Sequence, residues 1–179
     1  MAKRSPAELK QRLALDLPGA LAEPYAAGNG AAARPLRHGQ TTPVDLLATD
    51  DALVRPEALP EVALYVRDTL GYALLSNITA VDYLDERLIE LVYHFYSLDG
   101  GPELVIKTRV PRDDARMPSI TPLWPGADFQ EREAYDLYGV VFSGHPDLRR
   151  IYMWDEFEGF PMRKDFPRQG DKYFEADDA

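Results

Sequence analysis

Two neighbouring stretches of alternating apolar and polar residues constrain the fold of this chain more than any other feature of its sequence. The first, residues 88–96, reads LIELVYHFY, and the second, residues 103–110, reads ELVIKTRV. Alternation with a period of two is typical of β-strands that bury one face. The DGGP sequence between them, residues 99–102, predicts a turn whose glycines take positive φ. The two stretches therefore predict an antiparallel hairpin with one face against helices.

One face of this hairpin is apolar along its length, apart from a single threonine. The residues on that face are Ile89, Leu91, Tyr93, Phe95, Leu104, Ile106, Thr108 and Val110. His94 falls on the opposite face, among aromatic residues, and we interpret it as a packed or half-exposed sheet residue rather than a catalytic one.

Two amphipathic helices are predicted before the hairpin. Ser5, Pro6 and Glu8 have the arrangement of a capping box at the start of the first helix. Leucines then recur every four residues until a Pro-Gly pair ends the run. The second helix is predicted over residues 55–70, where apolar residues recur at spacings of three and four, and Gly71 ends it.

Further strands are predicted on both sides of the second helix, at residues 44–48 and 72–82. The order is helix, strand, helix and then a run of strands. This order predicts the α+β class, as a two-layer domain of helices packed on a mixed, largely antiparallel sheet.

The chain changes character after the hairpin. Residues 111–127 are rich in proline and predict a loop with at most one helical turn. Asp128 is predicted to cap a helix that runs to Tyr138 and is terminated by Gly139. Turn residues dominate afterwards and predict an extended segment, here named the C-terminal arm.

We therefore divide the chain into three parts. Residues 1–40 form an N-terminal helix and an irregular basic segment, residues 41–142 the core domain, and residues 143–179 the C-terminal arm. The first part holds six Lys and Arg residues against three acids, although the whole chain has a formal net charge of −10. This acidic total argues against nucleic acid as a partner, because phosphate binding needs a basic surface.

Composition also limits the chemistry that the chain can carry. There are no cysteines, which excludes disulfides, thiolate nucleophiles and cysteine-ligated iron–sulfur clusters. No stretch has the roughly 20 apolar residues of a membrane span. The start of the chain, MAKRSPAELKQRL, is charged where a signal peptide would be apolar, so we predict a cytoplasmic location.

The most densely charged stretch lies between residues 130 and 170, and three hypotheses compete for it. The acids and the histidine available to bind a metal are Glu131, Glu133, Asp136 and His145. A carboxylate metal site on a helix usually needs a Glu-x-x-His unit, which is absent here. Two carboxylates could instead act as general acid and base, but the interleaved arginines would lower their pKa values and spoil a general acid.

The third hypothesis is structural. Arg132 and Asp136 have the spacing of an intrahelical ion pair. We predict that the charges neutralise one another or those of a partner, with Arg149, Arg150, Arg163 and Lys164 supplying cations for Glu131, Glu133 and Asp136. The aromatic residues between those bases match the composition of protein interfaces. His145 is interpreted as a structural histidine that bonds backbone or carboxylate, because the following proline holds it extended.

The same stretch resembles a known family. The sequences EREAYDLYGVVFSGHPDLRRIY and FEGFPMRKDFP closely resemble the signature of the C subunit of NADH–quinone oxidoreductase, which is the 30 kDa subunit of respiratory complex I (NDH-1). The resemblance covers about residues 44–166. Two departures are Phe129, where the family often has Trp, and a tail that stops soon after the signature. The signature residues are Glu131, Arg132, Glu133, Tyr135, Asp136, Gly139, Gly144, His145, Pro146, Asp147, Arg149, Arg150, Gly159, Pro161, Arg163, Lys164 and Asp165.

This resemblance implies a hydrophilic subunit on the cytoplasmic face of the inner membrane, which meets the membrane only through its complex. It implies docking on the large, hydrogenase-like D subunit and on the B subunit, which holds the terminal iron–sulfur cluster, with the I subunit as a further candidate. Clusters, flavin and quinone are expected in partner subunits and none in this chain. The alternatives are the equivalent subunit of an energy-converting hydrogenase, a complex fed by ferredoxin or F420, and a stand-alone hydrolase using Glu131 or Glu133 with His145.

Overall fold

A computed structural model describes residues 5–23 and 47–167 of the chain. The helices in these ranges are α1 (Pro6–Asp16), α2 (Leu59–Asp68) and α3 (Ala127–Tyr138), and a 3₁₀ turn at Pro56–Ala58 leads into α2. The strands are β1 (Ala52–Leu53), β2 (Leu74–Tyr83), β3 (Leu88–Tyr96), β4 (Leu104–Pro111), β5 (Arg116–Pro118) and β6 (Val141–Ser143).

The main sheet has the order β1-β4-β3-β2. Strands β2, β3 and β4 pair antiparallel, and β1 adds to β4 in parallel. The predicted hairpin is therefore confirmed, with Phe95 opposite Leu104 next to the turn. The α+β class with a mixed, largely antiparallel sheet is confirmed as well.

The core lies between one face of this sheet and the helices. Each of the eight residues predicted on the apolar face of the hairpin is at most 3% exposed. Leu9 and Leu13 of α1 and Val62 and Val66 of α2 belong to the same buried cluster. The alternation therefore identified the buried face, because a pleated strand sends successive side chains to opposite sides.

The first helix begins as predicted. Ser5 is its N-cap, with the Oγ atom accepting a hydrogen bond from the backbone N–H of Glu8 at 3.2 Å. Helix α2 ends at Asp68, two residues earlier than predicted, and Gly71 then turns the chain with a φ of +78°. A glycine adopts this left-handed conformation without the steric cost that a Cβ atom would bring.

The prediction of a strand at residues 44–48 is wrong for residues 47–48, the part that the structure describes. Residues 44–46 lie outside the described residues, and 47–48 form a turn and irregular chain. The strand here is β1, which begins at Ala52. Apolar composition alone misplaced it, because pairing with β4 decides which of these residues become extended.

The loop predicted for residues 111–127 is wrong in one part. Strand β5 lies within it and pairs in parallel with β6, which places Met117 opposite Phe142. Both residues are buried. Three-residue strands beside prolines leave no periodic pattern in the sequence, so the pairing could not be predicted.

Helix α3 begins two residues earlier than predicted and without the predicted cap. Gly126 is the N-cap, and no side chain caps the helix. Asp128 lies inside the first turn, where its carboxylate lies 3.6 Å from Arg132. The other end is as predicted, because Gly139 is the left-handed C-cap with a φ of +76°.

Candidate functional site: the anchored C-terminal arm

The described part of the C-terminal arm, residues 143–167, is fixed to α3 by one buried carboxylate. Asp136 has no exposed surface. Its Oδ2 atom accepts hydrogen bonds from three consecutive backbone N–H groups, those of Ile151, Tyr152 and Met153, at 2.9, 2.6 and 3.0 Å. Burial alone would raise the pKa of Asp136, but these N–H groups and the Arg150 guanidinium outweigh it and lower the pKa.

Arg150 completes this anchor from the arm. Its Nη1 atom donates to Oδ1 of Asp136 at 2.7 Å and to the carbonyl of the same residue at 3.0 Å. Its Nη2 atom donates to the carbonyls of Phe157 and Gly159. The guanidinium carbon also lies 5.6 and 5.7 Å from the ring centres of Phe157 and Phe160. One arginine thus ties two turns of the arm to the helix, as its planar fork of donors permits.

A second anchor fixes the end of the arm to the main sheet. Asp82 at the end of β2 and Arg112 just after β4 form a buried pair, with 2.7 Å between Oδ1 and Nε. Asp82 also accepts the backbone N–H of Lys164 at 2.8 Å. Arg112 also donates to Asp165, and these bonds raise the Arg112 pKa. The arm is therefore held at two points 14 residues apart in sequence, Arg150 and Lys164.

Neither Asp82 nor Arg112 was among the predicted site residues. The register of the sheet brings them together, since Asp82 is near the end of β2, Arg112 follows β4, and these two strands flank β3. That register is not visible in the sequence, because an acid at a strand end has many possible partners.

Two glycines make room for aromatic rings where the arm meets the helix. A Cβ atom on Gly139 would lie 2.5 Å from the Phe160 ring, and one on Gly159 would lie 2.8 Å from the Phe166 ring. Both glycines also have positive φ. The signature therefore needs glycine at these positions for conformation and for space.

Arg132 and His145 secure the beginning of the arm. Arg132 is 5% exposed, and its Nε atom donates to the carbonyl of Arg149 at 3.2 Å. The Nδ1 atom of His145 accepts the N–H of Asp147 at 3.0 Å, so Nε2 carries the proton and faces the Asp128 carbonyl at 3.3 Å. The imidazole thus bonds backbone groups, as the sequence interpretation proposed.

The predicted charge pairing is wrong for several residues. Arg132 pairs with Asp128 instead of Asp136. Arg149 pairs with Asp147 on the surface at 2.8 Å. Arg163 donates to the carbonyl of Tyr138, and Lys164 contributes its backbone N–H. Of the predicted pairs, only Arg150 with Asp136 is present among the described residues, because backbone carbonyls and N–H groups compete for these side chains.

Glu131 departs furthest from the prediction, because no base pairs with it among the described residues. The side chain is fully buried on the sheet side of α3. Its Oε1 atom accepts the N–H of Ile120 at 2.8 Å, and Oε2 has no hydrogen-bond partner. Burial raises the pKa of Glu131 to about 7, although hydrogen bonds from Ser119 and Ile120 act in the opposite direction. Tyr93 is nearby, and its hydroxyl is also buried without a partner.

The outer side of this region is aromatic. Tyr152 and Trp154 are 59% and 62% exposed, and Met162 and Phe129 are also largely exposed. Trp154 packs edge-on against Phe157, with ring centres 4.8 Å apart, so the cluster is ordered. Arg150 and Arg163, which bond α3, are therefore half-buried, whereas Tyr152, Trp154 and Met162 lie on the outer surface beside exposed charged residues such as Asp147.

Residues 5–23 and 47–167 contain neither a cluster of metal-binding side chains nor a membrane-spanning helix. His, Asp and Glu side chains in these ranges do not gather in the groups of three that a metal ion needs. None of the helices in these ranges is long and apolar enough to cross a bilayer.

Comparison with known proteins identifies the family. The family described as respiratory-chain NADH dehydrogenase, 30 Kd subunit, matches residues 52–172, which is most of the chain. The chain belongs to this family. The match contains the sheet, helix α3 and both anchors of the arm, and it confirms the resemblance read from the signature.

Individual relatives agree. The C subunit of the Moorella thermoacetica NADH-quinone oxidoreductase is 46% identical over 119 residues, which cover 66% of this chain and 80% of that protein. The C 2 subunit of the Rhizobium etli enzyme is 47% identical over 122 residues, which cover 66% of this chain and 65% of that protein. A chain of the membrane-bound sulfane sulfur reductase, an archaeal respiratory membrane complex, superposes with a TM-score of 0.59 at 34% identity, over 65% of this chain and 71% of that one.

Proposed function

We propose that this chain is a non-catalytic, cofactor-free subunit in the peripheral arm of a proton-translocating quinone oxidoreductase of the complex I type. Its role is to brace the quinone-reducing module by docking on the B and D subunits. Family membership and the names of its relatives support the assignment to such a complex. The electron donor is NADH or another donor, and the names of the chain's relatives favour NADH.

The observation that carries the proposal is that different residues of this region hold the arm in place and form its exposed surface. Asp136, Arg150 and Asp82 use their charges to fix the path of the arm within the chain. Tyr152, Trp154 and Met162 remain outside, with half or more of each side chain exposed. Tyr and Trp are the side chains that contribute most to binding energy at protein interfaces. An ordered arm with an aromatic outer side is suited to bind another protein.

The buried positions of Glu131 and His145 support a non-catalytic role. Glu131 has no exposed surface, and neither does the His145 side chain. A hydrolase that used these groups would need both to reach a substrate. Electron transfer in the complex therefore depends on this chain through the geometry of the partner subunits. The proposed location is the cytoplasmic face of the membrane, with membrane contact through the complex.

The experiment is co-purification of the B and D subunits with tagged versions of the full chain. We expect the double variant Tyr152→Ala/Trp154→Ala to weaken association with these two partners by at least about tenfold, because the loss of even one interface aromatic that costs about 2 kcal/mol exceeds the roughly 1.4 kcal/mol of a tenfold change. The control is Leu98→Ala, which removes an even more exposed apolar side chain, 78% exposed, outside the arm.

Unchanged recovery of the two partners with the double variant would overturn the docking part of the proposal. Full assembly and an unchanged quinone reductase rate in cells that lack this chain would overturn the bracing role itself.

A second candidate is the equivalent subunit of a related complex with a different donor or acceptor. The structural match to a chain of the sulfane sulfur reductase complex favours this candidate. The co-purifying large subunit distinguishes the two. Nickel-binding cysteines in that subunit would indicate an energy-converting hydrogenase, and their absence would favour a quinone oxidoreductase.

A further inference from the structure

A groove runs between helix α3 and strand β2. It has a volume of about 240 Å³. Its walls are formed by Asn77, Ile78, Thr79 and Ala80 of β2 and by Glu133, Ala134 and Tyr138 of α3. We name it the α3–β2 groove.

One wall of this groove is an open sheet edge. In the described residues β2 is the last strand of the order β1-β4-β3-β2, and it is ten residues long. An edge strand presents a row of backbone N–H and C=O groups that no neighbouring strand satisfies. Residues 77–83 read NITAVDY and contain no lysine or proline, the residues that usually block pairing at an edge.

The usable part of the edge begins at Asn77. The pairing with β3 shifts register between Leu75 and Asn77, and the Ser76 hydroxyl donates to the carbonyl of His94 at 3.1 Å. Such a bulge interrupts regular pairing. The edge from Asn77 to Tyr83 is regular and measures about 23 Å at 3.4 Å per residue.

The other wall carries an unpaired anion. Glu133 is exposed, and its carboxylate has no hydrogen bond or ion pair with any residue in the described ranges. The signature acids Asp136, Asp147 and Asp165 each have an arginine partner. Tyr138 lines the groove, and the pKa of its hydroxyl is raised mainly by burial and to a smaller extent by the negative charges of Asp82 and Glu133. The charge of Glu133 is therefore felt inside the groove.

We propose that the α3–β2 groove binds an extended segment of a partner subunit, which adds to β2 as a further strand and places an arginine or lysine on Glu133. The backbone edge of β2 supplies the hydrogen bonds, and Glu133 supplies the selection for a cation. Ala80 and Ala134 are small, which leaves room for a long side chain beside the strand. The inference goes beyond docking through the aromatic arm, and it rests on the proposed function only in requiring a partner subunit.

Charge also argues for a different protein rather than a second copy of this chain. Two copies related by a twofold axis would pair β2 with β2 through the same surface. That arrangement would bring two Glu133 carboxylates to one interface with no cation from the groove, and like charges are unfavourable there.

The first test is amide hydrogen exchange with residue resolution, in the isolated chain and in the purified complex. We expect alternate amides between Asn77 and Tyr83 to exchange at least about tenfold more slowly in the complex, because a new strand would bond only the outward-facing groups. Equal exchange rates in the two states would overturn strand addition. Slowing of every amide in this range to the same degree would also contradict it, because simple coverage does not alternate.

The second test changes the charge of the groove. Glu133→Lys should weaken association with the partner by about tenfold or more, and Glu133→Gln by less, with a weaker dependence on salt than the wild type. Glu61→Gln is the matched control, because Glu61 is an exposed helical acid on α2, outside the groove. Equal affinities for all these variants would overturn the selection for a cation.

Two further outcomes are decisive. Concentration-dependent dimers of the isolated chain that protect the same β2 amides would overturn the choice of a different protein as the occupant. Recovery of the B and D subunits with unprotected β2 amides would overturn this inference alone, whereas failure to recover any partner subunit would contradict the proposed function.

Discussion

The main sheet and the C-terminal arm are ordered by opposite means. The sheet buries alternating apolar side chains, and its hairpin face is at most 3% exposed. The arm from residue 144 to 167 contains no helix or strand and is held by charged groups bonded to backbone atoms. Apolar burial is roughly proportional to area and has no direction, whereas a charge-assisted hydrogen bond requires one geometry.

This difference predicts how a single substitution destabilises each region. Many side chains share the stabilisation of the sheet, so a single truncation there weakens the whole domain. The arm depends on a few atoms, and Asp136 alone accepts bonds from three consecutive residues. Loss of one such atom should release the arm while the sheet stays folded.

The largest effect is expected from Asp136→Asn. The substitution leaves Arg150 partly buried without its counter-charge and aims an NH₂ or a neutral oxygen at three N–H donors. Breaking a buried pair on one side costs about 3–5 kcal/mol. We expect limited proteolysis to cleave within residues 144–167 while the far-ultraviolet circular dichroism of the sheet is retained. Simultaneous loss of both signals would show that the two regions unfold as one unit.

The next effect concerns Glu131, the one signature acid that lies on the sheet side. Its pKa of about 7 in the folded chain exceeds the ordinary 4.5, so the folded state holds the proton more tightly. Protonated Glu131 therefore makes its full contribution to the free energy of unfolding below pH 4.5. This contribution is lost as the pH rises to about 7, by roughly 3 kcal/mol in total. Urea unfolding between pH 5 and pH 8 measures this slope.

Glu131→Gln should remove this pH dependence, since glutamine does not titrate. Glu133→Gln is the matched control, because it removes the same formal charge from an exposed neighbour and leaves Glu131 in place. A wild-type slope in the Glu131→Gln variant would show that another group is responsible.

A smaller effect separates backbone conformation from packing in the arm. Gly139→Ala and Gly144→Ala both place a Cβ atom on a residue with positive φ, +76° and +84°. Only at Gly139 would this atom meet a ring, that of Phe160 at 2.5 Å, whereas nothing lies within 4 Å at Gly144. We expect Gly144→Ala to cost about 1 kcal/mol in free energy of unfolding and Gly139→Ala about 1–3 kcal/mol more. Equal costs would mean that Phe160 moves aside freely.

The smallest effect is expected from Arg149→Ala. Its bond to Asp147 lies on the surface, with both side chains more than half exposed. Exposed ion pairs contribute little to stability. We expect no measurable change in the urea midpoint. If this variant nevertheless binds a partner more weakly, Arg149 contacts that partner directly. Arg150→Ala, at the adjacent position, should release the arm to proteolysis.

Prediction from sequence succeeded where one residue pattern determines one structure. The hairpin, the capped first helix and the glycine end of α3 each depend on neighbours in the chain, so they could be located. It failed for β5 and β6, whose pairing joins Arg116 to Val141 across α3. The family could also be identified, because its signature is a continuous run of residues.

The partners of the charged residues could not be predicted. Arg132 has helical spacing to both Asp128 and Asp136, and it pairs with Asp128, whereas Asp136 pairs with Arg150 of the arm. Glu131 was assigned a base and has none in the described structure. Spacing along a helix shows which residues share a face, but it does not show which backbone groups reach that face.

The three N–H groups that hold Asp136 belong to the main chain, and this has a consequence for divergence between complexes. Residues 151–153 fix the course of the arm without using their side chains. Substitutions there can alter the outer surface while the arm keeps its path. A protein built in this way can change the chemistry of its outer surface one side chain at a time while the arm keeps its course.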